Sequence, residues 1–137
     1  MGRIIITRKK EIFNGLRNID LYIDNIKVAT IANGQSNEIN IPDGNEHKLV
    51  AKIDWCTSNA IVFNVIENQI KQIELSSFKN AKYIFPIFVF TCLTHFILKH
   101  TIQYDSLFLL VSIPMCLYLL YFITIKKNQY LVLSENN

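Results

Sequence analysis

Two long apolar runs in the last third of the chain restrict its fold more than any other feature. They cover residues 83–98 and 107–125, and the polar residues 99–106 separate them. At a helical rise of about 1.5 Å per residue the runs are roughly 24 and 28 Å long, against a hydrocarbon core of about 30 Å. The sequence therefore predicts a transmembrane helical hairpin, in which the second helix is the more comfortable span.

The charges around the two runs predict an orientation. Lysines flank both outer ends of the hairpin, whereas the loop between the runs carries only Lys99, with His100 and Asp105 beside it. The positive-inside rule then places both termini in the cytoplasm, and the first ten residues lack the apolar core of a signal peptide. We expect a two-span protein of the cell inner (plasma) membrane, whose interface anchors are Lys79, Lys82, Tyr83, Lys126 and Lys127.

The remainder of the chain has the texture of a β protein. Short apolar or alternating segments occur at 2–7, 20–23, 27–31, 37–41, 47–55, 60–66 and 70–75. Turn residues separate them: Asp24-Asn25 and Asn33-Gly34, which tolerate the positive φ of a tight hairpin turn, and Pro42-Asp43-Gly44. No helical period intervenes, so the pattern predicts an antiparallel seven-stranded β-sandwich. The predicted units are the sandwich at 1–76, a linker at 77–82, the hairpin at 83–127 and a tail at 128–137. The tail lies either on the inner membrane surface or in the β domain.

Three segments carry a resemblance to a known family. The sequence Leu-Tyr-Ile-Asp-Asn-Ile-Lys-Val at 21–28, together with 31–34 and 41–47, resembles the PEGA-type small β-sandwich module, with its YIDG-x-x-V-G hairpin and Pro-Gly-x-His turn. Asn25 and Ala29 stand where that family usually has glycine. The resemblance implies a non-catalytic accessory or binding domain, often attached to a membrane or envelope, and it supplies no catalytic residues.

One loop of the β domain combines an aromatic ring, a thiol and several hydroxyl or amide groups, a composition suited to contact with a partner. The alternative is that the tryptophan ends the inward face of strand 47–55 as a core residue while the polar residues close a turn. The candidate interaction loop is Trp55, Cys56, Thr57, Ser58 and Asn59.

Polar residues recur at helical spacing inside the two runs, as they do where membrane helices pack. In one interpretation copies of the chain assemble around these residues to form a pore that His95 gates by titration. In the other they pack within the hairpin and His95 stays neutral. The candidate polar stripe is Thr91, Cys92, His95 and Lys99 on the first helix, with Ser112 and Cys116 on the second.

The composition argues against several classes of function. A net charge of +3, from 14 basic and 11 acidic residues, is too small for a dedicated nucleic-acid binder. The three histidines and three cysteines form no zinc-binding or disulfide pattern, and no phosphate loop or nucleophile elbow occurs. We therefore expect no catalytic residues, no cofactor and no metal.

The leading expectation is a membrane-anchored, non-enzymatic protein in contact with lipid, whose cytosolic β-sandwich binds a protein partner or forms a homo-oligomer. One alternative is an oligomeric membrane effector or channel gated by the β domain, similar in architecture to two-span effectors of bacterial defence. The other is an envelope-facing accessory binding module with the reverse topology.

Overall fold

The protein is mostly β, with two helices near its C-terminal end. The computed structural model describes residues 2–42, 45–66, 69–102 and 106–136. The elements follow in the order β1 (Gly2–Arg8), β2 (Ile19–Ile23), β3 (Ile26–Ile31), β4 (Ser36–Ile41), β5 (Glu46–Ile53), β6 (Cys56–Thr57), β7 (Ile61–Asn64), β8 (Ile70–Ser77), α1 (Ala81–Ile102), α2 (Ser106–Thr124), a 3-10 turn (Lys127–Gln129) and β9 (Leu131–Asn136).

The strands form two sheets. The first has the order β4-β1-β8-β9, and the second has the order β3-β2-β5-β6, with β7 paired to the other half of β5. β1 and β8 run parallel, while the other strand pairs are antiparallel. The prediction of a purely antiparallel fold is wrong at this pair. The parallel pairing is possible because the long segment between β1 and β8 builds the whole second sheet before the chain returns.

Alternating residues of both sheets share one hydrophobic core. In β1 the inward positions are Ile4 and Ile6, and in β5 they are Leu49, Ala51 and Ile53. These side chains belong to the same buried cluster, which continues through β2, β8 and β9. The period-2 pattern of the sequence therefore predicts the inward face of each strand correctly.

The described part of the chain forms nine strands where the sequence analysis predicts seven. The seven predicted segments correspond to β1 to β5, β7 and β8. The two additions are β6, which is only two residues long, and β9, which the tail forms after α2. β9 pairs antiparallel with β8, from Ser77 opposite Leu131 to Gln72 opposite Asn136. The tail is thus an edge strand of the first sheet.

Asn33-Gly34 is not the hairpin turn that the sequence suggests. β3 and β4 lie in different sheets, and among the central residues of the 32–35 turn only Gly34 has a positive φ, at 73°. A type I′ turn requires positive φ at both positions. Asn33 instead directs its side chain to the backbone of Glu11, with hydrogen bonds of 2.9 and 3.0 Å. By contrast, Asp24 and Asn25, at φ 50° and 68°, do form the tight β2–β3 turn.

Both helices are attached to one end of the β domain, meaning the nine strands and their connections. α1 follows β8 and α2 leads back to β9, the neighbour of β8 in the sheet. The ends of β1, β3 and β5 also reach this end, as the pairs Arg8–Leu75, Ile19–Ile31 and Asp20–Lys52 show. We call it the helical end; it comprises residues 9–18, 32–35, 54–55, 78–80 and 125–130. The Asp24–Asn25 turn lies at the opposite, far end.

One described helix is long and apolar enough to cross a membrane. The qualifying stretch is Ala81–His100, 20 residues with a mean hydropathy of 1.6, of which 17% are buried. It extends at both ends beyond the predicted run 83–98. In α2 the described apolar stretch is Ser112–Thr124, which is too short to meet the same criterion. The structure therefore gives α1, and not α2, the stronger indication of a span.

Candidate interaction surface and helix junction

Trp55 is the exposed apolar residue of the predicted interaction loop. It lies at the tip of the turn between β5 and β6, and 67% of its surface is exposed. The expectation that it plugs the core is wrong because Asp54 adopts a φ of 51° and ends the strand before the alternation reaches position 55. Arg17 holds this turn through an ion pair with Asp54 at 2.6 Å. The β domain thus presents a large aromatic side chain on a fixed turn.

The other residues of this loop are used inside the protein. Cys56 is buried, and burial, together with the nearby charge of Asp54, raises the pKa of its thiol. The hydroxyl of Ser58 is also buried, accepts a hydrogen bond from the Ala51 amide at 2.9 Å and donates one to the Asn59 carbonyl at 2.6 Å. These contacts close the turn from within, as the structural alternative for this loop proposed.

Asn59 joins this loop to the last strand. Its Oδ1 accepts a hydrogen bond from the Leu133 amide at 2.8 Å, and its Nδ2 donates one to the Leu133 carbonyl at 3.0 Å. Thr57 donates to the Asn128 side chain at 3.2 Å, just before β9 begins. The second sheet therefore holds the returning chain after α2. Of the predicted interaction loop, Trp55 is thus the exposed residue whose side chain makes none of these internal hydrogen bonds.

An aromatic junction connects the β domain to the helices. Phe78 is 3% exposed and stacks on Phe122 of α2, with ring centroids 4.2 Å apart. Phe13, Tyr118 and Tyr130 lie around it at 5.6 to 6.3 Å. Because β8 continues to Ser77 and α1 begins at Ala81, only three residues separate strand from helix. The predicted linker 77–82 is thus a packed element of the structure.

Hydrogen bonds fix the rim of the aromatic junction. The Phe78 amide donates to the Tyr130 carbonyl at 3.1 Å, and the Tyr130 hydroxyl donates to Asn14 Oδ1 at 3.1 Å. Burial raises the pKa of the Tyr130 phenol. On the other side, the Asn80 amide donates to the Tyr118 hydroxyl at 3.1 Å. The loop 9–18, both helices and β9 are therefore tied at one place, which the sequence pattern did not indicate.

A buried arginine organises the loop 9–18. Arg8 is 2% exposed and continues the inward face of β1 after Ile4 and Ile6. Its guanidinium donates to the carbonyls of Asn14 at 2.7 Å and Arg17 at 2.6 Å, and to the Ile31 carbonyl at 3.3 Å. Burial lowers the Arg8 pKa, against which the charge of Glu11 acts. A charged donor inside the domain thus holds the backbone of an otherwise irregular loop.

A histidine and an aspartate pair at the far end. His47 Nδ1 lies 2.6 Å from Asp24 Oδ2, and the Lys48 amide donates to Asp24 Oδ1 at 2.9 Å. The His47 contact, followed by that amide bond, lowers the pKa of the Asp24 carboxyl. The other ring nitrogen of His47 is buried and forms no hydrogen bond within the described part of the chain, and the ring lies 6.1 Å from Phe63. This pair braces the β2–β3 turn against β5.

The predicted membrane-interface residues cluster at the helical end. Lys82 and Tyr83 lie in the first turn of α1, and the Lys82 ammonium is 4.8 Å from the Tyr83 ring. Lys79 precedes α1, and Lys126 and Lys127 follow α2, with the Lys126 ammonium 5.7 Å from the Tyr121 ring. All five residues are exposed. Two lysine ammonium groups therefore lie over tyrosine rings near the helix ends that adjoin the β domain, and the role of these residues at a membrane interface stays a prediction.

The predicted polar stripe is divided between different environments. Thr91 is buried and its hydroxyl donates back to the Ile87 carbonyl at 2.8 Å. Cys92, His95 and Ser112 are half-buried, while Lys99 and Cys116 are exposed. The two halves of the stripe therefore do not form one continuous buried face in a single chain. Their role remains a prediction.

Among the described residues, no group of three or more His, Cys, Asp or Glu side chains could hold a metal ion. The turn residues Asp43 and Gly44 of the proposed PEGA motif lie outside the described residues. Comparisons with protein-family models, curated proteins and solved structures found no match to this chain.

Proposed function

We propose that this chain is a membrane-anchored, non-enzymatic protein whose β domain binds a protein partner or a second copy of itself. In this proposal α1 and α2 form a two-span hairpin, and the β domain and both termini lie in the cytoplasm.

The observation that carries the proposal is the exposed apolar surface of α1. Phe85, Phe90, Leu93, Phe96 and Ile97 are each between 50% and 72% exposed, although the helix has no charged residue between Lys82 and Lys99. A core helix of a water-soluble protein would bury such side chains, and a contiguous apolar surface of this kind is unfavourable in water. A bilayer provides the missing environment.

The position of the two helix ends supports a hairpin. α1 starts and α2 ends at the helical end of the β domain, and the α1 of 22 residues is about 33 Å long, which suits a core of about 30 Å. α2 has 19 residues, or about 28 Å. Lysines surround both helix ends, so the positive-inside rule favours a cytoplasmic β domain.

The non-enzymatic part of the proposal has a separate support. The one described His–Asp pair, His47 with Asp24, has its second ring nitrogen buried instead of open to a substrate. A general base needs a reacting group within hydrogen-bond reach. We also propose that the β domain is a PEGA-type module; the tight turn at Asp24 and Asn25 supports the hairpin portion of that motif.

Membrane anchoring can be tested by extraction. The full chain should stay with the membrane fraction after an alkaline carbonate wash, and replacing Phe90 and Leu93 with aspartate should release it. The matched control is Ile26→Asp on β3, which is as exposed as Phe90 but lies on the β domain. Release of the unaltered chain by carbonate would contradict the proposal. Reporter fusions at both termini test the topology, and an active external reporter at the N-terminus would overturn the cytoplasmic assignment.

The mass of the full chain in detergent distinguishes the two kinds of partner. A dimer or larger assembly supports self-association, whereas a monomer directs the search to a different protein.

A further inference from the structure

The helical end of the β domain exposes apolar side chains on both sides of the helices. Ile12 is 74% exposed and Leu16 is completely exposed, both in the loop 9–18, and Trp55 is 67% exposed on the β5–β6 turn. Ile12 lines a groove with Ala81 and Phe85 of α1. Trp55 lines a small cavity with Ile123 of α2. Ile12 and Trp55 therefore border the place where the helices leave the domain, and Leu16 lies in the same loop as Ile12.

These side chains are held by an ordered scaffold. Besides its two bonds to Arg8, the loop 9–18 is fixed by Glu11, whose carboxylate accepts a hydrogen bond from the Ser77 amide at 3.0 Å. The Arg17–Asp54 ion pair then links the loop directly to the turn that carries Trp55. Leu16 and Trp55 are the immediate neighbours of the two paired residues. The exposure of these apolar groups is thus built into the fold.

The charge of the same end is positive. Lys10, Lys79, Lys126 and Lys127 of the helical end are exposed, as is Lys82 in the first turn of α1, and none of the five has an ion pair among the described residues. The acidic groups here are already engaged: Glu11 with the Ser77 amide, Asp54 with Arg17, and Glu74 with Lys9. Exposed apolar side chains on an end that also carries these cations, with Ile12 beside Lys10 and Lys82, match an anionic lipid surface, which offers acyl chains below negative headgroups.

We propose that the helical end rests on the surface of an anionic bilayer, with Ile12, Leu16 and Trp55 inserted below the headgroups. This proposal depends on the membrane anchoring proposed above and adds a second contact, made by the β domain itself. It fixes the domain against the membrane instead of leaving it to extend freely from the helices. Because the aromatic junction packs the helix ends against the β domain, insertion of the helices holds the helical end close to the bilayer surface.

The single tryptophan of the chain makes the proposal directly measurable. The full chain is reconstituted in vesicles of phosphatidylcholine and phosphatidylglycerol whose acyl chains carry bromine near the headgroups. Insertion should shift the Trp55 emission to shorter wavelength and quench it, because bromine quenches only at short range. Bromine in both leaflets makes the result independent of the orientation of the chain.

A matched control moves the fluorophore to the far end. In the variant Trp55→Phe, Ile26→Trp, the new tryptophan occupies a site with 68% exposure next to the Asp24–Asn25 turn. Its emission should be unaffected by brominated lipid. Replacing the exposed Ile12 and Leu16 with serine should reduce the quenching of Trp55 without affecting folding, since neither contributes to the core.

The two proposals fail in different ways. If the chain resists carbonate extraction but Trp55 is not quenched, anchoring stands and docking is wrong. If Trp55 and the far-end tryptophan are quenched equally, the contact is unspecific and docking is also wrong. If carbonate releases the chain from the membrane, anchoring is wrong, and the docking proposal, which depends on it, is wrong as well.

Discussion

Removing the Phe78 ring tests whether the β domain and the helices form one packed unit. Phe78 is 3% exposed, stacks on Phe122 at 4.2 Å and lies within 6.3 Å of three further aromatic rings. Truncation of a buried phenylalanine to alanine costs about 3–5 kcal/mol. Phe78→Leu keeps most of the apolar volume but loses the ring contacts, so we expect about 1–2 kcal/mol for that change.

The buried Cys56 provides the assay. It is 4% exposed and burial raises the pKa of its thiol, so it should react with an alkylating reagent only when the β domain opens. With Cys92 and Cys116 replaced by alanine, the labelling of Cys56 across a denaturant series measures the free energy of unfolding of the β domain. The series is recorded on the full chain in detergent.

A matched control separates the junction from the general loss of a ring. Phe90→Ala deletes the same side chain from a site of α1 that is 72% exposed, and it should leave the labelling curve unchanged. If Phe78→Ala shifts the free energy of unfolding no more than Phe90→Ala does, residues 78–80 act as a flexible connection and the description of an aromatic junction is refuted.

Two further changes test the bracing of the β domain. Asn59→Ala removes both hydrogen bonds to Leu133, so it should lower the free energy of unfolding by about 1–3 kcal/mol and speed amide exchange in β9. The control is Asn18→Ala, which truncates an exposed asparagine. Equal effects of the two substitutions would contradict the bracing of β9 by Asn59. The contact with His47 lowers the pKa of Asp24, so its stabilisation is fully present above about pH 4 and is lost as the pH falls through the lowered pKa. In the variant Asp24→Asn, the midpoint of unfolding should therefore fall less steeply as the pH is lowered below about 4. An unchanged slope of midpoint against pH would refute this role of the pair.

The sequence predicted the strands better than their arrangement, because the two depend on different information. Alternation within β1 or β5 is local, so Ile4, Ile6, Leu49 and Ala51 could be assigned to the core from the sequence. The partner of a strand is not local. Nothing in the segment Gly2–Arg8 indicates that it pairs in parallel with a strand some seventy residues later.

Two local errors had identifiable causes. The alternation in β5 predicted that Trp55 faces the core, but Asp54 takes a left-handed conformation and interrupts the pattern. Asp can adopt such conformations, yet a lone Asp does not by itself signal a turn. Asn33-Gly34 gave the opposite error, since a strong hairpin signal was used to connect two sheets and to bind Glu11.

The candidate site was the least predictable part, because it depends on contacts between distant segments. Phe13, Phe78, Phe122 and Tyr130 come from four places in the sequence and meet only after the sheets have formed. Each of them alone looks like an ordinary apolar residue. The basic residues near the helices were recognisable from the sequence, whereas the fixed exposure of Leu16 and Trp55 beside them was not.

The aromatic junction also bears on the channel alternative. A pore within one chain would require α1 and α2 to separate at their base, where Phe78 of the α1 side stacks on Phe122 of α2 and Asn80 bonds to Tyr118. Separation of α1 from α2 at this end would expose the stacked rings of Phe78 and Phe122. The exposed Cys116 shows further that part of the polar stripe points away from the partner helix. A conducting path, if the protein forms one, must therefore lie between copies of the chain. The mass of the full chain in detergent consequently tests the channel alternative before any conductance is measured, because a monomer would contradict it.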